Sequence, residues 1–267
     1  MVTKIQNPIS DPCPKEVPLP EAPLVRVIAQ VRFPLIASID QRDFIASFQE
    51  AIRTDYPVLQ QEMTQSIKLS SRGIEPNQTL TAWRFSDIDS KWRVSLTPEF
   101  IALETTNYTS RNDFFSRFKL VLVALDEQIK PRVMQRLGLR YVDRITGKAF
   151  DKIDTLVRQE VLGIAATADS LNAKHSLSES LFEVPDSKER ILARWGLVPP
   201  NGSVDPNAIE SIDEASWILD IDMFSAEQKT FVPDTVVSDV RRFSERLYTL
   251  FRWAVTDEFL RIYGGKI

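Results

Sequence analysis

The chain of 267 residues sets 33 Lys and Arg against 37 Asp and Glu, a formal net charge of −4, and 43% of it is apolar. That is enough apolar material for a real core, and the mild acidity excludes a global basic footprint for nucleic acid or anionic lipid, leaving only a local patch for either. A single cysteine (Cys13), a single histidine (His175) and eight glycines without a Gly-x-Gly-x-x-Gly or Gly-Lys-Ser/Thr run exclude an intrachain disulfide, Cys-based or two-imidazole zinc sites and the standard phosphate cradles.

Residues 1–23 hold six prolines, from Pro8 to Pro23, and read as an extended tail that lies along the body or is mobile. No apolar segment of signal-peptide or membrane-spanning length occurs, so the cytoplasm is the expected compartment and no membrane partner is expected. Leu24 to Phe33 alternates, with Val25, Val27, Ala29, Val31 and Phe33 on one side, which is the period of a half-buried strand. Asp40 is placed to cap a helix carrying Phe44, Ile45, Phe48, Ala51 and Ile52. Alternation returns at Thr79–Ser86, Lys91–Thr97 and Phe100–Thr106, a meander, and Ser110 is placed to cap a long amphipathic helix ending before Pro131.

The second half repeats that order. Val133–Ile145 reads as a strand, Lys152–Leu162 as a helix, Leu177–Val184, Glu189–Val198 and Ser216–Met223 as strands, and Val236–Tyr263 as one long helix. Pro199 to Glu214 reads as a long surface loop. The expectation is an α+β chain in which a Pro-rich tail (1–23) precedes two β-α-β-β-β-α units, 24–132 and 133–267, within one globular body. They form a twisted antiparallel sheet with the long helices on one face, in a saddle or helix-grip-like layout that suggests internal duplication.

The other face of such a sheet would be uncovered, and strand parity lists what it carries. The first half gives Arg26, Arg32, Arg84, Lys91, Arg93 and Glu104; the second gives Arg136, Arg140, Arg144, Arg190, Arg194, Asp220 and Asp222. Across the chain 21 Arg stand against 12 Lys, yet this face has nine Arg and one Lys. Guanidinium forks match carboxylate and phosphate geometry, so the arginines are candidate ligands for an anionic partner: a protein segment, a nucleotide-like molecule or nucleic acid. The competing account is an ordinary solvated sheet face whose long stems cover apolar surface.

Asp220 and Asp222 share strand parity and offer a candidate pair for a divalent cation such as Mg²⁺, or for cross-strand pairing with arginine; no other cofactor is indicated. His175 sits in a polar connector and reads as a surface residue. Trp83, Trp92, Trp195, Trp217 and Trp253 fall on apolar faces and read as core. Arg241, Arg242, Arg246, Arg252 and Arg261 belong to the polar side of the last helix, solvated or paired with Glu245 and Glu258.

Several segments carry a resemblance: Arg32-Phe33-Pro34, Leu103-Glu104-Thr105-Thr106-Asn107-Tyr108 before the Asp113-Phe114 helix, Gly138-Leu139-Arg140-Tyr141-Val142, Leu219-Asp220-Ile221-Asp222 and Phe251-Arg252-Trp253-Ala254. Together they resemble a sporadically distributed, uncharacterised prokaryotic protein family of about this length, over nearly the whole chain after the tail. In that family Asn often stands where this chain has Asp143, and Trp where it has Arg111. The resemblance implies no catalytic residue. Its patchy occurrence implies mobile genes such as bacterial defence islands or toxin-control pairs.

The reading is a non-enzymatic binding module that recognises an anionic partner through its Arg-bearing face, as an accessory or sensor subunit of such a pair. The alternatives are a metal-dependent enzyme on a phosphorylated or nucleotide substrate, with Arg140 or Arg144 as phosphate clamp, and a structural subunit that oligomerises through the same face.

Overall fold

The computed structural model describes residues 5–65, 68–70, 73–75, 79–167, 171–206 and 208–267. Strand β1 (Leu24–Arg32) leads through a 3₁₀ turn at Ala37–Asp40 into helix α1 (Arg42–Ile52). Then come β2 (Val58–Gln65), the short pair β3 (Lys68–Ser70) and β4 (Gly73–Glu75), β5 (Thr79–Ser86), β6 (Trp92–Thr97), β7 (Phe100–Thr105) and α2 (Arg111–Gln128). The rest begins with β8 (Val133–Met134) and β9 (Arg136–Ile145), then the single-turn helices α3 (Gly147–Phe150), α4 (Ile153–Leu156) and α5 (Gln159–Leu162). It ends with β10 (Ser176–Glu183), β11 (Glu189–Val198), β12 (Ser216–Ser225), β13 (Lys229–Thr230), α6 (Pro233–Ala254) and α7 (Asp257–Ile262). The mixed α+β class and the antiparallel sheet are as expected: nine strands run in the order β10-β11-β12-β9-β1-β7-β6-β5-β2.

Four expectations change. Strand β2 was not anticipated, because Val58–Gln65 does not alternate and pairs with β5 at one end of the sheet order. The 152–162 helix is two single turns, since Val157 is extended and bridges Val255, and Gly163 turns the chain at φ +53°. That bridge also interrupts the last helix, which restarts at α7 with Thr256 accepting from the Phe259 amide. Asp40 caps no helix; its carboxylate accepts from the Thr81 amide at 3.2 Å. Ser110 does cap α2, accepting from the Asp113 amide.

Two compact units interleave along the chain, Met1–Val27 with Leu139–Ser225 and Arg241–Ile267, and Ile28–Gly138 with Ala226–Val240. The anticipated cut at 132/133 was consecutive; β1, β9 and α6 instead contribute residues to both units. In the unit built on β2–β7, Phe48 of α1 meets Phe85 of β5 edge-on, and Trp92 of β6 lies against Phe114 of α2. Trp83 is buried there and its indole N–H donates to the Ile39 carbonyl at 2.7 Å, meeting the requirement of a buried polar edge.

The unit built on β10–β12 buries Ile191, Ala193, Trp217, Leu219 and Ile221 on the strands with Phe243, Leu247 and Leu250 of α6. Here the tail is docked. Arg246 of α6 donates to the Asp11 carbonyl (2.6 Å) and the Pro8 carbonyl (3.2 Å), and the Tyr248 hydroxyl accepts from the Val17 amide (2.7 Å). A cleft of about 160 Å³ remains beside Cys13, Arg242 and Thr249.

One glycine is dictated by β-pairing: Gly196 of β11 holds φ +147°, and a Cβ there would stand 1.9 Å from the Ser176 carbonyl oxygen on β10. Gly196→Ala is expected to cost about 2 kcal/mol or more in urea unfolding, against under about 0.5 kcal/mol for Ser178→Ala on the exposed neighbouring strand.

Candidate anion-binding site

The β10–β12 register explains how charged side chains meet. Arg194 of β11 lies opposite Glu179 of β10 on one side and Asp220 of β12 on the other, and Arg190 lies opposite Glu183. Directly opposed residues on antiparallel strands project to the same side, so this face carries a ladder of alternating charge. Arg194 donates through Nε to Glu179 (2.9 Å) and through Nη1 to Asp220 (3.3 Å).

Arg140 of β9 closes the ladder. Its Nε and Nη2 form a two-pronged fork on the Asp220 carboxylate (2.7 and 2.8 Å), while Nη1 reaches Asp205 (2.8 Å) in the connector between β11 and β12. Asp220 is only 2% exposed, so the fork is made almost out of water. Burial works against the charge on Arg140, yet the hydrogen bonds and proximity of Asp220 and Asp205 outweigh it and hold the guanidinium above its ordinary range.

Arg144, four residues along β9 and on the same side, is treated differently. It is 9% exposed; Nη2 donates to the backbone carbonyl of Glu210 (2.6 Å), and Nε is buried without a hydrogen-bond partner. Burial pushes its guanidinium below the ordinary range, against the opposing pull of the Glu210 carboxylate. The side chain of that same Glu210 reaches Arg26 of β1 at 3.5 Å.

The connector was anticipated as a long surface loop. Asn207 lies outside the described residues, but on either side of it the connector turns inward, with Ala208 and Ile209 buried and Asp205 and Glu210 against Arg140, Arg26 and Arg144. The face expected to be uncovered is therefore covered here by an acidic segment of the same chain. Strand parity had no access to Asp205 and Glu210, because a connector has no period; their acidity beside an arginine-bearing strand was the one signal present.

Within the β2–β7 unit the remaining arginines are individually matched: Arg32 with Glu99 (3.2 Å), Arg84 with Glu62 (3.1 Å) and Arg93 with Glu104 directly opposite. Arg136 donates to the Gln30 side-chain carbonyl (3.4 Å), and Arg190 stands 3.6 Å from Glu183 on the other unit's exposed edge strand. The nine arginines thus do not form one bare cationic surface. Those brought together are Arg140 and Arg194 on Asp220, with Arg26 and Arg144 joined through Glu210.

Asp220 and Asp222 share a face as expected, but both Asp220 oxygens are committed to guanidiniums, so the pairing alternative holds for Asp220 and a cation would have to displace Arg140. Among the described residues no group of three or more His, Cys, Asp or Glu side chains is placed to hold a metal ion. His175 is exposed, as anticipated. Trp83, Trp92 and Trp217 are core, whereas Trp195 and Trp253 are half-buried, the latter under the Arg158 guanidinium at 5.2 Å. Of the arginines near the C-terminal end expected to be solvated or paired with Glu245 and Glu258, Arg261 does meet Glu258 (3.1 Å), whereas Arg252 is buried, with Asp257 at 4.0 Å, and Arg242 grips Glu189.

On the opposite side of β9, Asp143 is 6% exposed, and burial alone pushes its carboxyl up to about 7. Tyr263 is raised to about 12, first by its own burial and then by the charge of Asp143. An acid whose folded pKa exceeds its unfolded value of about 4 binds the extra proton when folded, so stability falls as pH rises from about 4 to 7. Asp143→Asn removes that term: relative to wild type it should gain on the order of 3 kcal/mol between pH 4 and pH 8, read as the difference of urea midpoints at the two pH values.

Scanned against protein-family models the chain matches none, and no curated protein matches it. The resemblance carried by Gly138-Leu139-Arg140-Tyr141-Val142 and Phe251-Arg252-Trp253-Ala254 therefore rests on those residues themselves. No helix among the described residues is long and apolar enough to cross a membrane.

Proposed function

We propose that the chain is a non-enzymatic binding module that takes an anionic partner at Arg26, Arg140 and Arg144 on the sheet face of the β10–β12 unit. The observation that carries this reading is Arg144, a guanidinium 9% exposed whose hydrogen bonding consists of one backbone carbonyl, with Nε unmatched. Leaving a buried charge short of a hydrogen-bonded counter-ion costs several kcal/mol, and a carboxylate or phosphate presented to Arg144 would offset that cost through charge-assisted bonds.

The reading narrows the expected set. Arg32, Arg84, Arg93, Arg190 and Arg194 each have a carboxylate of their own, and pairing of that kind satisfies a sheet face without any ligand. No observation favours a metal-dependent reaction. A cytoplasmic setting belongs to the proposal, in keeping with the exposed thiol of Cys13. The accessory or sensor role in a defence or toxin-control pair is what the family resemblance adds; the chemistry of the site requires only that the partner be anionic.

Isothermal titration with tripolyphosphate tests the reading. Binding should weaken between 50 and 200 mM salt, because the approach of the polyanion through solvent is screened over about 10 Å, even though the contacts at the buried guanidiniums are screened less. Arg144→Gln should cost at least tenfold in affinity, while Arg32→Gln, in the other unit, should leave it unchanged. Absence of saturable binding, or equal losses in both variants, would remove the proposal.

A further inference from the structure

The connector between β11 and β12 brings peptide chemistry to the arginines: one carboxylate at Arg140, a second at Arg26, and a backbone carbonyl at Arg144. These acceptors come from Asp205 and Glu210, five residues apart in a single run of chain, with the hydrophobic Ala208 and Ile209 buried between them. A phosphate would use carboxylate-like geometry alone. The main-chain acceptor and the buried aliphatic side chain are features of an acidic peptide, presented here on a turn in which the Ala208 and Ile209 amides donate to the Asp205 carbonyl (3.0 and 2.8 Å).

From this, and resting on the anion-site reading above, we infer that the partner is an acidic peptide segment of another protein, and that the connector is its built-in stand-in. Asp205 and Glu210 hold the arginines until a segment with two spaced carboxylates and an apolar side chain between them takes their place.

The internal contacts differ in how readily they yield. Glu210 is 84% exposed at its side chain and 3.5 Å from Arg26, the geometry of a weakly held surface pair. Asp205 is the firmer hold, at 2.8 Å and 27% exposed. Asp220 is not part of the exchange, since its fork on Arg140 comes from the sheet and stays in place when Nη1 is released. A tethered competitor acts at an effective concentration near millimolar and lowers the apparent affinity by the fraction of time it vacates the site. A free partner must therefore outcompete the connector, which sets a threshold on its acidity and concentration.

The test compares wild type with Asp205→Asn/Glu210→Gln, two substitutions that keep the size of each side chain. Fluorescence anisotropy would follow a labelled synthetic peptide with the sequence of residues 203–212 and, separately, titration calorimetry would follow tripolyphosphate. The double variant should bind the peptide at least tenfold more tightly than wild type. A peptide with Asn and Gln in place of its acids should not bind, and adding Arg144→Gln should abolish the gain. Should the double variant lose its far-UV circular dichroism, Glu210→Gln alone, at an exposed side chain, is expected to give about a threefold gain.

Tripolyphosphate binding without peptide binding by the relieved protein would overturn the peptide assignment and leave the anion site standing. Equal peptide affinity in wild type and double variant would overturn the stand-in role of the connector. Failure of both probes on both proteins would remove the anion site itself and this inference with it.

Discussion

A guanidinium withdrawn from water has to meet negative charge, and that requirement organises the sheet face of the β10–β12 unit. The Arg140 fork on Asp220 is its centre: Asp220 sits where Arg194 arrives from one strand and Arg140 from another, and Glu179 extends the chain of opposite charges to β10. Charge-assisted pairs of this kind are weak in water and strong when sequestered, provided every nitrogen and oxygen is matched. Around Asp220 the matching is complete enough that Arg140 is held more firmly protonated than a free arginine.

The same strand then breaks the rule at Arg144. It has the parity of Arg140, comparable withdrawal from solvent, and no carboxylate hydrogen-bonded to it. What separates the two residues is Asp220 of the sheet together with Asp205 of the connector, which both present carboxylates to Arg140, whereas Arg144 receives a backbone oxygen. The cost of an unmatched buried cation falls on folding, and Arg252, with Nε and Nη1 buried and unmatched, bears it as well; at Arg144 a bound anion would offset it. This contrast between near neighbours, more than the number of arginines, is what the proposed anion site rests on.

Much of this was legible in the residues. Alternation placed Arg26 on β1, and Arg136, Arg140 and Arg144 on the side of β9 away from buried Leu137, Leu139 and Ile145, because a strand has a period of two. Ser110 announced its helix through a side chain that reaches the third amide. Strand β2 left no such trace: Val58–Gln65 lies at one end of the sheet order, where one neighbour suffices and apolar residues need not alternate. The break at Val255 and Thr256 was hidden by a hydrophobic pattern that runs on through it, although Thr256 followed by Asp257 and Glu258 is a helix start in its own right. The acidic arm over the arginines was beyond periodicity altogether, since a connector takes its conformation from the surface it lands on.

The most direct measurement is arginine side-chain NMR. In protein labelled at the guanidinium nitrogens, titration with an anion should move the Nε–Hε signals of Arg26, Arg140 and Arg144 to a saturating limit, while those of Arg32, Arg84, Arg93 and Arg190 stay in place. Uniform small shifts across all of them, or a stationary Arg144 signal while others move, would contradict the account.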